Sequence, residues 1–445
     1  MPSSRVLAAC VVLFSALVLI AQESVDSLAD RAFAGEGAAQ TTLLEKAKAG
    51  DSAAQYLAGL MFHQGLGVKK DATAGVKWLQ GAAGTGHGEA ERQLGVAYLF
   101  GDGISRDPKL AAHWFRKAAQ RGIVKAQWGL GVILSVKEYG FNDVAEAEKW
   151  FKLAAEAGDV DSQFRLGSVY EDGGGVPRND ELALYWMQKA AENGHATAQN
   201  NLGVKLRSRD DSKENEEQAV KWFEKAASQG DFRAQLNLAE AYLLAIGVPK
   251  DIPKAITLFR ASAENGHPIA AYKLGMFYEK GELVPKDLAE ALRWYLAAAF
   301  KGNTKAQVQA AMMYKEGRGA KADMSRAVKL WTYAAEDKNV EAQFNLALAY
   351  DIGQGIQRDA AAAVRWYRAA AEQGYAGAQT NLSVMYTTGD GVPRDLVEAL
   401  FWATLAAEVA EPNAVKGKSI IEKQMSKAQI AEAQARVAKW KTGSK

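Results

Sequence analysis

One cysteine in 445 residues, Cys10 in the N-terminal apolar segment, leaves the remainder of the chain unable to build a disulfide or a thiolate metal site. Neither charge is in excess: 54 Lys and Arg face 52 Asp and Glu, so the basic surplus that a nucleic-acid partner calls for is missing. Histidine is scarce as well. His87, His195 and His267 occupy one recurring place 72 or 108 residues apart, whereas zinc ligands must converge to roughly 2.0–2.1 Å from one ion, so no metal is expected. His63 and His113 add no ligand spacing. The S-x-x-K of serine β-lactam enzymes is absent, and Lys441-Thr442-Gly443 alone is only a fragment of that signature. No catalytic residue and no cofactor site follows from the sequence.

Long apolar runs are lacking too, apart from residues 6–21, a 16-residue uncharged segment behind Arg5. It reads as a secretory signal peptide ending near Ala21, and it is short for a membrane span. Leu19 departs from the small residue such a cleavage site prefers, so an uncleaved N-terminal anchor is the alternative. Leu7-Ala8-Ala9-Cys10 resembles a lipoprotein box, but the apolar run follows the cysteine instead of preceding it.

A strict period is present in abundance. Stepping by 36 from Trp114 gives Trp78, Trp150, Trp186, Trp222, Leu258, Trp294, Leu330, Trp366 and Trp402, eight tryptophans in ten places without insertion or deletion. A fixed period of this size marks an array of stacked supersecondary units. Five residues beyond each anchor stands an alanine, from Ala83 to Ala407, and three before it an alanine in nine of ten units. Together with the anchor and its neighbour this gives the i, i+3, i+4, i+7, i+8 face of a buried helix. Seven residues before the anchor only Asp or Asn occurs, Asp71, Asp107 and Asn215 among them, as helix N-caps require. A first helix lies upstream, with Ala90, Leu94, Gly95 and Tyr98 recurring as Ala270, Leu274, Gly275 and Tyr278.

Gly101-Asp102-Gly103 opens onto a helix and could cradle phosphate on free backbone N–H groups. Its recurrence, as in Gly65/Gly67 and Gly389/Gly391, together with the lack of a preceding strand or a following Gly-Lys-Ser/Thr, makes it a turn instead. Gly122, Gly158, Gly194, Gly230 and Gly266 close the second helices where a left-handed residue is expected. Two units depart from the pattern: the turn becomes VKEYGFND at 136–143 and RSRDDSKENE at 207–216, either drifted loops or partner-specific ones.

The pattern A-x-x-x-L-G-x-x-Y, then G-x-G-V/I, then D-x-x-x-A-x-x-W-[FY]-x-x-A-A, clear from Ala90 to Ala119 and from Ala378 to Ala407, resembles the Sel-one-like repeat (SLR) family, relatives of the tetratricopeptide repeats. The resemblance covers roughly residues 40–440. Residues 425–440, MSKAQIAEAQARVAKW, are similar to the terminal helix of many bacterial members, with Ser426 placed to cap a helix running through Trp440. What the resemblance implies is an adaptor: exported bacterial members hold signalling, envelope or polysaccharide-export partners. One branch is associated with β-lactams, but that branch is cysteine-rich, unlike this chain.

The predicted fold is all-α, a right-handed α-solenoid of about ten 36-residue helix-turn-helix repeats with helical caps. Its expected parts are a signal peptide or anchor at 1–21, a linker and capping half-repeat at 22–53, ten repeats at 54–413 and C-terminal capping helices at 414–445. Solenoids bind on the concave face, usually lined by first helices. Taking 100° per residue, position 92 falls about 200° from Ala90, away from the core. Its equivalents include Tyr56, Arg92, Trp128, Phe164, Tyr272 and Phe344, the candidate partner-binding residues, beside a ridge of Val96, Met276 and Met312. That ridge either packs on the next unit or grips an extended peptide or partner helix. The expected function is a non-catalytic protein-binding scaffold, periplasmic or secreted or else tethered by its N-terminus, with membrane contact only through that segment. The rivals are a peptidoglycan- or β-lactam-acting enzyme and a self-associating structural part.

Overall fold

Caps decide where the helices begin. In nine of the ten repeats the Asp or Asn seven residues before the anchor accepts a hydrogen bond from the first turn of the second helix, as Asp107 does from Leu110 N at 3.0 Å and Asp359 from Ala362 N at 2.9 Å. Each such cap is worth about 1 kcal/mol. The same residue's own N–H returns to the first helix, Asp107 N to Tyr98 O at 2.8 Å, so one side chain and one amide close the turn together. The exception corrects the sequence reading: Asn215 caps nothing at a helix start, because the helix begins three residues earlier at Lys213 with Ser212 as its cap. The segment KENEEQ has no glycine to stop a helix and good helix formers to extend it. In the other divergent turn a short 3-10 helix, Lys137–Tyr139, followed by Gly140 at φ +84°, replaces the glycine pair, and Asp143 keeps its cap.

The computed structural model describes residues 24–209, 212–408 and 412–443; the expected signal segment at 1–21 and Cys10 lie outside them. Every described element is a helix, and within each of two compact bodies neighbouring helices pack in chain order, as in an α-solenoid. Among the described residues no helix is long and apolar enough to cross a membrane. Two compact bodies divide the chain at Leu202/Gly203.

Within each repeat the core is built where the period placed it, with one refinement. The alanine four residues beyond the anchor is fully buried, as in Ala82, Ala118, Ala298 and Ala370. In most repeats the enclosed large side chain is the residue after the anchor, Phe115, Phe151, Phe223, Phe259, Tyr295, Trp331 and Tyr367, while Trp78, Trp114, Trp150, Trp222 and Trp366 are only half-buried; the anchors Trp186, Trp294 and Trp402 are buried themselves. Tryptophan at the edge of the face spends its ring partly on lysine: Lys117 Nζ sits 4.6 Å from the Trp114 ring and Lys225 Nζ 4.2 Å from that of Trp222. The small residue of the first helix makes room for the enclosed aromatic, since a Cβ on Gly275 would stand 2.6 Å from the Tyr295 ring.

The paired glycines have different jobs. Gly101 ends the first helix in the left-handed region, at φ +76°. Gly103 packs between repeats: a Cβ there would be 2.4 Å from the carbonyl oxygen of Ala72, the first residue of the previous repeat's second helix. That helix start is thus covered by Gly103 and capped by Asp71.

The ends are helical as well. Val25–Phe33 and Gly37–Lys48 precede the first repeat and bury Leu28, Leu43 and Ala47 against Ala54 and Met61, so the expected linker at 22–53 is largely a helix pair. At the other end Pro412–Glu422 and Lys427–Gly443 bury Ile421, Ala433 and Val437 on the last repeat. Ser426 caps the final helix in a reciprocal box, its Oγ accepting from Gln429 N at 3.3 Å and the Gln429 Oε1 from Ser426 N at 2.9 Å.

Candidate functional site

The ridge opposite the helix-pair core is half-buried wherever the candidate residues stand. Its aromatics reach the residue that precedes the next first helix. In the first body Tyr56 stacks on His87 with ring centroids 4.6 Å apart, and Phe164 stacks on His195 at 4.3 Å. In the second body Phe344 meets Tyr375 at 4.8 Å, and Tyr272 meets the enclosed Tyr295 at 5.6 Å. Arg92 is held by Glu89 on its own helix at 2.7 Å. Trp128 is half-buried, and its indole Nε1 has no acceptor among the described residues. Tyr56, Phe164 and Phe344 therefore show one side to solvent and spend the other on the residue before the next first helix, whereas Arg92 and Tyr272 are held within their own repeat, a division that the periodicity left open.

The histidines are structural in this arrangement. His87, His195 and His267 cap first helices, each Nδ1 accepting a backbone N–H, from Ala90 at 3.2 Å, Ala198 at 3.1 Å and Ile269 at 3.2 Å. Elsewhere that place is taken by Asp51, Asp159, Asp231, Asn303 or Asn339. Burial, and then the Arg233 charge, hold the His267 imidazole below its ordinary 6.5, which favours the neutral ring that a cap needs. Among the described residues no group of three or more His, Cys, Asp or Glu side chains could hold a metal ion.

Below the ridge runs a ladder that the sequence reading missed. Directly after the small residue at the Ala90 place of the first helix stands a row of glutamines: Gln163, Gln199, Gln343 and Gln379 each donate through Nε2 to the alanine carbonyl eight residues back, at 3.0–3.2 Å. The end of the second helix in the same repeat completes the rung when it supplies an amide, as Asn193 does to Gln163 Oε1 at 2.9 Å and Gln373 to Gln343 Oε1 at 2.8 Å. In the second repeat the rung is ionic: Glu91 replaces glutamine and Arg121 replaces the amide, Nε to Oε2 at 2.9 Å. Stepping Gln163 by 36 shows this row in the sequence, and the paired exchange of Glu91 with Arg121 was its available signal.

A cavity on the first-helix face lies in the second body. It measures about 710 Å³ and is lined by Leu243, Ile269, Tyr272, Met276 and Phe277, with Lys273 and Lys305 among its polar lining. Of the sequence candidates only Tyr272 lines it, beside Met276 of the predicted ridge. Lys273 is partly neutralised by Glu240 at 3.0 Å. Burial, reinforced by the Glu279 charge, raises the Tyr272 phenol, so it stays a neutral, amphipathic wall. Ile269 and Lys305 stand one repeat apart at a place where Glu89, Lys125, Asp161 and Gly377 also occur; that variability was the signal for them. A groove with apolar walls and a basic rim can seat the side chains of an extended segment and attract acidic ones.

Comparison with known proteins agrees with this architecture. The Sel1 repeat model matches ten consecutive segments, 52–87, 88–123, 124–159, 160–195, 196–231, 232–267, 268–303, 304–339, 340–375 and 376–409. Among solved structures, a protective antigen of uropathogenic Escherichia coli strains that displays an SLR fold is 32% identical, with 90% of this chain and 94% of that chain covered and a TM-score of 0.57. A Sel1 repeat protein from Oxalobacter formigenes is 28% identical, covering 76% of this chain and 88% of its own, with a TM-score of 0.38. No curated protein matches the chain.

Proposed function

The chain belongs to the Sel1 repeat family, and from that premise we propose that it is an exported, non-catalytic scaffold of a bacterial periplasm or cell envelope that holds a partner protein on its first-helix face. Repeats of this kind generally serve protein interaction, and the partner is a property of the surface residues, not of the fold. The observation that carries the reading is the groove of about 710 Å³ around Tyr272 and Met276, whose apolar walls and lysine rim suit an extended peptide or a partner helix. The uncharged segment at 6–21 supports export, and the Escherichia coli relative is described as a protective antigen, consistent with a chain displayed beyond the cytoplasm.

The test is affinity capture from the envelope fraction followed by mass spectrometry, with wild type beside Trp128→Ala/Tyr272→Ala. Both variants truncate half-buried rings, so helix content by circular dichroism is checked first. Loss of a specifically captured protein is the expected result. Undiminished capture by the folded double variant would remove the ridge from the mechanism, and turnover of peptidoglycan or covalent labelling by a serine-reactive probe would replace the scaffold with an enzyme.

A further inference from the structure

Behind the last repeat, the second body contains a pocket of about 590 Å³ that has no counterpart in the repeat pattern. Its apolar wall is Phe401 and Trp402 from Leu396–Glu408 and Trp440 from Lys427–Gly443, three rings in edge-to-face contact at 4.8–5.8 Å. Trp440 keeps 37% of its surface exposed, while Phe401 and Trp402 are buried behind it. The ring that the wall offers to an entering group is therefore chiefly that of Trp440, backed by the other two.

The charged lining is three basic residues, Arg368, Arg436 and Lys439, against Glu372 and Glu398. Glu398 is already consumed: it accepts from Trp402 Nε1 at 3.1 Å and Arg436 Nη1 at 3.1 Å, and lies 3.6 Å from Arg368. Arg436 also bonds Glu432 at 2.7 Å, and Arg368 bonds the Tyr386 hydroxyl. These contacts fix the two guanidinium groups at the pocket. Lys439 is the lining cation with no ion pair among the described residues, and it shares a helix face with Arg436 and Trp440. An aromatic wall beside a preset cationic edge is complementary to an apolar body carrying one negative charge.

We propose that this pocket binds an apolar carboxylate, its aromatic or branched aliphatic body lying against Trp402 and Trp440 and its carboxylate meeting Lys439 at the rim. Two sources share that chemistry, a free organic acid and the carboxyl-terminal residue of a polypeptide. Calorimetric titration of the full chain separates them, using N-acetylphenylalanine, its neutral amide, and a hexapeptide ending in phenylalanine with a free or an amidated terminus.

The expected result is saturable binding of at least one free-acid probe, at least tenfold tighter than its amide and weakened by salt. Binding of both acids assigns a general carboxylate site; binding of the peptide acid alone assigns a chain terminus. Lys439→Gln should loosen binding at least fivefold, while Glu372→Gln, which removes a like charge, should tighten it about twofold. Both positions are solvent-exposed, so folding is retained. Equal affinity for acid and amide, an unaltered affinity in Lys439→Gln, or no binding of any probe would each overturn the proposal. Trp128→Ala/Tyr272→Ala leaves this pocket untouched, so failure of the groove reading and failure of this one are distinguishable.

Discussion

Removing Arg121 should cost far more than replacing the whole rung to which it belongs. The Glu91 carboxylate is 1% exposed and its charge is met by Arg121 at the end of the second helix of the same repeat, whereas Arg121 is 50% exposed. Arg121→Ala strands a buried carboxylate. A buried ion pair broken on one side costs about 3–5 kcal/mol, and because water reaches the arginine side here the expected loss is roughly 2 kcal/mol. Glu91→Gln/Arg121→Asn instead installs the neutral rung seen at Gln163 with Asn193. Its Nε2 can donate to the Ala83 carbonyl as the other glutamines do to theirs, so the double variant should lie within about 0.5 kcal/mol of wild type. The difference between the two variants, about 1.5–2 kcal/mol, is measurable by urea unfolding of each beside wild type. Hydrogen exchange at the amides of residues 88–135 would localise the effect, since an array of repeats can open in parts. If Arg121→Ala and the double variant proved equally destabilising, the rung would be mere packing and the electrostatic account wrong.

The two glycine roles predict two sizes of effect. Gly122→Ala meets open space at φ +81° and should cost about 1 kcal/mol from backbone strain alone, while Gly103→Ala adds a collision with the Ala72 carbonyl and should cost at least about 2–3 kcal/mol by thermal melting. Conversely Lys338, a non-glycine at φ +61° in the closing position of its repeat, should be replaced by glycine with a gain of up to about 1 kcal/mol. For His267 the sign follows from its lowered pKa: the folded chain holds fewer protons than the unfolded one, so the histidine's contribution is complete above 6.5 and lost as the pH falls through the lower folded value. The facing groups are Arg233, Asp231 and Glu240. His267→Asn keeps a capping side chain of the type found at Asn303, so its melting temperature should fall less between pH 7 and pH 5; a parallel fall in both proteins would refute the assignment.

What proved legible was whatever a single repeat settles within itself. The capping Asp, the closing glycines and the alanine-lined face are decided by contacts a few residues apart, and the 36-residue period displays each of them in most repeats. The displaced cap at Ser212 escaped because periodicity predicts the average repeat, and at 207–216 the local helix formers outweigh it. The second glycine was legible as a turn but not as a contact, since the Ala72 carbonyl belongs to the repeat before it.

The candidate site was only half readable for the same reason. Helical angles place Tyr56, Phe164 and Phe344 opposite their own core, yet whether such a ring faces solvent or a neighbour depends on how far one repeat is displaced against the next. No angle measured within one helix contains that displacement. The rung joining Glu91 to Arg121, the groove at Tyr272 and the pocket between Trp402 and Trp440 arise from residues 30 to 40 positions apart. The amino-acid order alone determined a capped helical array without a disulfide. Tertiary structure decided which of its side chains hold the array together and which remain free to hold something else, because that choice rests on packing between helices.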